Sequence, residues 1–216
     1  MEVLVINSKD KVYEYISQQI TEGNILPNER ITEQSLAEAT GLSRTPIREA
    51  LLHLAALEII EHTPNKGFKL VNYTLKDLEE VYQLIGVLDG KSAQLAAPFL
   101  TEEDYSLMQF HIDTMYSAIA NGLYIKYNEI QEAFHDIYIN KAQNRRLIKE
   151  IHQQKQFLIA KAFSKSDPNN LKDILNKTND EHQVILNLFK ENNLCELRRY
   201  LEEVHWRIEN ARYDLW

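Results

Sequence analysis

Apolar residues recur along this chain mostly at helical spacing. Val12, Ile16 and Ile20 form one stripe, which Ser8 can cap and Gly23 can end. Asn24 to Arg30, with Pro27 inside it, reads as a loop. A second helix is predicted from Thr32 to Ala39. Thr40-Gly41-Leu42 breaks it, and a third helix runs from Ser43 to about Leu57. The pattern then becomes strand-like at Ile59-Ile60 and at Phe68-Lys69-Leu70-Val71. Pro64-Asn65-Lys66-Gly67 between them has strong turn chemistry, so a β-hairpin is expected.

From Thr74 the texture changes to helix after helix. Thr74-Leu75-Lys76-Asp77 and Thr101-Glu102-Glu103-Asp104 resemble capping boxes with Asp at the third position. Asn121-Gly122, Ser166-Asp167-Pro168 and Asn192-Asn193 are breaks. Helices are predicted near 75–97, 102–120, 124–141, 144–164, 168–191 and 194–213. Such short connections imply antiparallel neighbours, hence an all-α bundle. The expected organisation is a winged helix-turn-helix in residues 1–72 and an all-helical domain in 73–216, a mainly α protein.

Bulk properties refine this picture little. The lone cysteine, Cys195, excludes a disulfide framework or a cysteine-based zinc site within one chain. The apolar run before Asn7 is too short for a signal peptide, and no stretch approaches bilayer-spanning length, so a cytoplasmic protein without membrane contact is expected. Net charge is −8, and residues 1–72 hold seven basic against ten acidic residues. DNA binding must therefore rest on a local basic surface, with weak non-specific affinity.

Such a surface is legible. Glu33 to Leu52 fits the helix-turn-helix template. Ala37 is small where two helices approach, Gly41 sits where a positive φ is cheap only for glycine, and Ile47 supplies a buried contact. Ser43 suits an N-cap, and Pro46 falls in the first turn, where its missing N–H costs little. Arg44, Thr45 and Arg48 then project from the end of the recognition helix that meets base edges.

Ile25-Leu26-Pro27-Asn28-Glu29-Arg30-Ile31-Thr32-Glu33, Leu36-Ala37, Gly41 and Ser43-Arg44-Thr45-Pro46-Ile47-Arg48-Glu49-Ala50-Leu51 resemble the GntR family of bacterial regulators, with Asn65-Lys66-Gly67 matching its wing tip. That resemblance implies DNA contacts from Arg30, Ser43, Arg44, Thr45, Arg48, Lys66 and Gly67, the last bringing the wing backbone close to the minor groove. The remainder is similar to the FadR-type subfamily, whose effector domain is called FCD. Leu78-Glu79-Glu80-Val81-Tyr82 and Ser92-Ala93-Gln94-Leu95-Ala96-Ala97 resemble its first helix. Phe134-His135, Glu181-His182-Gln183-Val184-Ile185 and Glu203-Val204-His205 resemble its metal-ligand segments. The resemblance implies a homodimeric one-component regulator of operator DNA. It also implies a metal site for zinc or nickel of His135, His182 and His205, with Gln131 as a weak fourth ligand or holding a metal-bound water, and a small-metabolite effector.

Two departures stand out. Gln131 occupies the position where the family has Asp, four residues before the first His, and a neutral amide is the poorer ligand. Ile85 occupies a position where many members have an Arg that helps hold an anionic effector. The spacing itself puts Asn128, Gln131 and His135 on one helix face, so these join His182 and His205 as expected effector-binding residues. His53, His62, His111 and His152 match nothing.

Two other classes fit parts of the pattern. Glu132-x-x-His135 and Glu202-x-x-His205 are the paired motifs of a di-iron carboxylate bundle, with Glu79 or Glu80 and Glu150 or Glu181 as further ligands, which would make the chain an enzyme. A DNA-binding docking protein with no effector is the other. Effector, operator and sign of regulation are not readable from the sequence.

Overall fold

The computed structural model describes residues 8–63, 67–158 and 168–213. The wing turn Pro64-Asn65-Lys66, the Ser8 side chain proposed as a cap, and the predicted helical extension through residue 164 lie outside what is described. The chain divides into two compact units. One spans Met1–Leu78 with Lys155–Ser164 and Arg212–Trp216, and the other Glu79–Gln154 with Lys165–Ala211.

In the first unit α1 (Ser8–Thr21), α2 (Glu33–Thr40) and α3 (Arg44–Ala56) enclose a core of Val12, Ile16, Ile20, Leu36, Ile47, Leu51 and Leu54. The predicted stripe of α1 is thus its buried face. Gly41 ends α2 in the left-handed region at φ 69°, donating its N–H to the Ala37 carbonyl at 3.0 Å. Thr32 caps α2 through its side chain. Ser43 does hold the N-cap position of α3, but its hydroxyl makes no capping hydrogen bond.

The hairpin departs from the sequence reading: β2 is Ile60–Thr63, starting one residue later and running three further, and β3 is Gly67–Leu70, one residue earlier. A third strand, β1 (Arg30–Ile31), joins it in the order β1-β3-β2, all antiparallel, with Arg30 opposite Lys69 and Ile31 opposite Phe68. The sequence reading left Arg30 in a loop because two residues carry no alternation. The pairing is tertiary, continued by the Asn28 N–H on the Leu70 carbonyl at 2.9 Å.

The second unit is helical, built from α4 (Leu75–Ala96) from Glu79 on, α5 (Glu102–Ala120), α6 (Tyr124–Ile139), α7 (Arg145–Phe157) as far as Gln154, α8 (Pro168–Lys190) and α9 (Leu194–Tyr200). Thr101 and Asp104 form a complete capping box on α5. α5 packs on α6 and on α8, and α8 packs on α9. The single helix expected over 194–213 is instead α9, a π-helical turn (Leu201–His205) and a 3-10 helix (Ile208–Tyr213). The π turn is closed by the Trp206 N–H on the Leu201 carbonyl at 3.0 Å. Its wider winding lets the consecutive residues His205 and Trp206 both face the interior, where both are buried.

Gly86 and Gly90, one turn apart on α4, let the backbone of α9 and the π turn come close. A Cβ on Gly90 would stand 3.0 Å from the Arg198 carbonyl oxygen and 3.1 Å from Arg198 Cγ. Helix propensity favours Ala over Gly by about 1 kcal/mol. Overlap in a packed interior costs about 1–3 kcal/mol, more where backbone cannot give way. Gly90→Ala is therefore expected to lower stability by about 1–2 kcal/mol, seen as a lower urea midpoint. An unchanged or raised midpoint would show that this approach is loose.

Candidate DNA-reading surface and histidine centre

Ser43, Arg44, Thr45 and Arg48 are exposed and lie within the first turns of α3, and Arg30 is exposed on β1. Arg44 opens α3, where no acidic residue offsets it. A cation there opposes the helix dipole, an arrangement unfavourable for the fold but suited to an approaching polyanion. Arg48 has only a long, exposed pairing with Glu33, at 3.9 Å, worth little against a phosphate or base. Gly67 has φ 86°, and a Cβ there would meet the Arg30 guanidinium at 3.5 Å. Arg30 and the wing tip thus form one edge. Lys66 lies outside the described residues.

The second unit brings the three sequence-nominated histidines together. His135 comes from α6, His182 from α8 and His205 from the π turn, and all three are buried. One ring nitrogen from each lies within 4.8 Å of the others. Ring centroids are 4.9–5.3 Å apart. The buried face of α6 is Tyr127, Gln131, Phe134, His135 and Tyr138, so Gln131 stands one turn before His135 on the inward side. Asn128 is half-buried, and its Oδ1 is a buried oxygen without a hydrogen-bond partner among the described residues. Ile85 is fully buried on α4 as part of the core.

Each histidine is gripped at Nδ1. Asn179 donates its amide to the Ile112 carbonyl at 3.0 Å. That fixes its oxygen as the acceptor facing His182 Nδ1 at 3.2 Å. His205 Nδ1 faces Glu181 Oε2 at 3.1 Å, and Arg207 holds the other oxygen of Glu181 at 2.5 Å. His135 Nδ1 lies 2.6 Å from the Tyr138 hydroxyl and 3.1 Å from Asp89 Oδ2. Burial, and then the neighbouring Asp89 carboxylate, push the Tyr138 phenol well above its ordinary range, so it stays a donor. Acceptors at Nδ1 place the ring proton there and leave Nε2 a lone pair. His135 Nε2 and His205 Nε2 then face one another at 3.1 Å. Two lone pairs at that distance repel unless a cation or a proton lies between them. Nitrogens bound about 2.0–2.1 Å from one ion in tetrahedral to octahedral geometry lie about 2.8–3.4 Å apart, so the spacing of the His135–His205 pair fits a shared transition metal.

The di-iron reading fails on this geometry. Glu132 is exposed, whereas His135 is buried. Glu202 binds Arg198 at 2.5 Å instead of joining His205. Glu181 faces the Nδ1 side of His205, turned away from the cluster's lone pairs. Asp89, Asn179, Tyr138 and Trp206 were not singled out from the sequence. Their hydrogen-bond partners lie on other helices or are set by ring orientation. The one sequence signal was a polar residue, Asp89 or Asn179, at a position that helical spacing places on the buried face.

Both parts of the chain are similar to known proteins. The model of the bacterial regulatory proteins of the gntR family matches residues 8–70, and the FCD domain model matches residues 80–205. The chain is 29% identical over 136 residues to the uncharacterized HTH-type transcriptional regulator YdhC of Bacillus subtilis, covering 62% of this chain and 61% of that one. It is 32% identical over 127 residues to the Nta operon transcriptional regulator of Aminobacter aminovorans, covering 58% and 59%. The chain thus spans about three fifths of the length of these two relatives. Among solved structures, Escherichia coli McbR/YncC superposes with TM-score 0.80 at 20% identity over 97% of this chain and 98% of that one. Listeria monocytogenes Lar gives 0.62 at 22% identity over 100% and 99%. At those identities the structures speak for the fold, a winged helix-turn-helix with a helical C-terminal domain. The chain belongs to the GntR family of bacterial regulatory proteins and carries an FCD domain over residues 80–205.

Proposed function

We propose that this protein is a cytoplasmic, homodimeric one-component transcription regulator. Residues 1–72 read an operator through Arg30, Ser43, Arg44, Thr45, Arg48, Lys66 and Gly67, and residues 73–216 bind a small metabolite and dimerise. The observation that carries the sensing half is the convergence of three buried histidines whose Nδ1 atoms all face acceptors. His135, His182 and His205 would hold a divalent transition metal, zinc or nickel, with Gln131 at its edge. Bound there, the metal would offer open positions to an oxygen donor of the effector. Asn128 and Gln131 supply polar atoms on the same stretch of α6 and serve the organic part of the ligand. Ile85, buried where relatives of this type carry Arg, removes one means of holding an anionic group, so more of the recognition falls to the metal and the amides.

Regulation follows from linkage. An effector that prefers one arrangement of the DNA-reading units changes operator affinity by the factor by which operator changes effector affinity. The connecting segment Asn72-Tyr73-Thr74 passes this on. Tyr73 donates its hydroxyl to the Glu58 carbonyl at 2.5 Å, which ties that segment to the turn before the wing.

Footprinting on the DNA adjoining the gene, together with sedimentation, tests the reading. A two-fold symmetric footprint is expected, its half-sites about 34–36 Å apart or a multiple of that. The particle should be a dimer at micromolar protein. A monomer protecting one asymmetric site would overturn it. A thermal-shift screen of metabolites on metal-loaded and chelated protein identifies the effector, because a ligand of the native state raises stability by mass action.

A further inference from the structure

Asp89 is fully buried on α4 and belongs to no expected ligand set. Its Oδ1 accepts from the Tyr138 hydroxyl at 2.6 Å. Its Oδ2 accepts from Trp206 Nε1 at 2.7 Å and lies 3.1 Å from His135 Nδ1. One carboxylate thus ties together α4, α6 and the end of the π turn. A carboxylate withdrawn from water costs several kcal/mol unless hydrogen bonds replace its hydration, and here three donors converge on it.

The proton count fixes what those bonds do. Tyr138 has a single hydroxyl hydrogen, and Asp89 Oδ1 takes it. The Tyr138 oxygen is then an acceptor toward His135 Nδ1, only 2.6 Å away. Asp89 Oδ2 is an acceptor toward the same nitrogen. His135 must therefore carry its proton on Nδ1, which leaves the Nε2 lone pair toward His205. Trp206, held by the same oxygen, follows His205 directly in the chain, so the bond also pins the turn that delivers the third histidine.

We propose that Asp89 is the positioning residue of the histidine centre: through Tyr138, His135 and Trp206 it fixes the His135 tautomer and the π turn, and so sets the affinity for a divalent transition metal. This rests on the metal reading above. Asp89→Asn changes the proton count with almost no change in shape. An amide can offer oxygen to only one side. With its oxygen toward Trp206, its NH2 group faces Tyr138, which loses its acceptor and is free to turn its hydrogen onto His135 Nδ1, while the amide oxygen still faces that nitrogen. The Nδ1–H form thus loses the nearer of its two acceptors, and the Nε2–H form, which covers the lone pair, gains population.

The test uses the full chain, with zinc affinity measured by competition with a chelator and the imidazole protonation read from long-range proton–nitrogen NMR spectra. Glu132→Gln, an exposed change on α6, is the control. Asp89→Asn is expected to weaken zinc binding about 10–100-fold and to shift His135 to the Nε2–H form. Zinc affinity unchanged from the parent, with the His135 ring unchanged, overturns the proposal. If the parent itself binds neither zinc nor nickel, the metal reading falls, and the ring alone decides: a His135 tautomer indifferent to Asp89→Asn overturns the positioning role too. If the variant does not fold, the parent decides. A His135 ring without a proton on Nδ1 refutes the proposal, and one with it supports it.

Discussion

Replacing any one of His135, His182 and His205 by alanine is expected to lower the affinity for zinc by more than about 100-fold, beyond the loss from an outer hydrogen-bond partner. Three neutral imidazoles are the main protein donors on the tautomers described, since the amide oxygen of Gln131 is a weaker ligand. Removing one leaves two nitrogens, too few to outcompete water and buffer for the ion. His152→Ala is the control. That ring faces Asn140 and Asp136 outside the cluster and should leave affinity intact. Gln131→Asp should move affinity the other way, because a charged oxygen is added one turn before His135 on the same buried face. Elemental analysis of protein made without a histidine tag, followed by calorimetry with zinc and nickel, checks all five proteins. Clearly sub-stoichiometric metal with no calorimetric response would leave a metal-free polar pocket as the role of these side chains. If the three alanine variants then kept the full effector response, the centre itself would be misassigned.

The limits of sequence reading follow from the same residues. The helix-turn-helix was legible because its signals are local: Gly41 at a turn, Ile47 at a buried position, Pro46 in a first turn. The starts of α4 and α5 followed from capping residues within three positions, and that of α6 from the Asn121-Gly122 break before it, since Leu123 at its N-cap position makes no side-chain cap. The histidines were legible only through resemblance, since three imidazoles far apart in sequence carry no periodicity of their own. What decides their chemistry was out of reach. Asp89 meets His135 and Trp206 across 46 and 117 residues. The approach at Gly90 depends on Arg198. The π turn inserts one residue into a helix whose pattern looks uninterrupted. The two Glu-x-x-His pairs misled for a related reason. Spacing puts Glu132 near His135 along the helix surface, but the buried stripe of α6 is too narrow to include it.

The combined change Arg44→Ala with Arg48→Ala is expected to abolish operator recognition while leaving the fold intact. An arginine reading a base edge contributes about 1–3 kcal/mol of discrimination, or about 5- to 150-fold in affinity. The two residues are one helical turn apart, so their losses need not add, but together they should exceed either alone. Stability should not fall in parallel. Arg44 sits at the positive end of α3, where its removal relieves about 0.3–1 kcal/mol of unfavourable dipole interaction. The Arg48–Glu33 pair is exposed at 67% and 33% of the two side chains and contributes little. The expected signature is therefore an unchanged or slightly raised melting temperature with operator binding lost. Arg30→Ala, on the wing edge beside Gly67, should behave differently: a phosphate contact weakens binding to all sequences alike and reduces the salt slope by about one. Parent-like operator binding by the double variant, measured by anisotropy across a salt series, would mean that α3 is not the recognition helix. Loss of binding together with a fall in melting temperature would place both arginines in the fold instead of on the DNA.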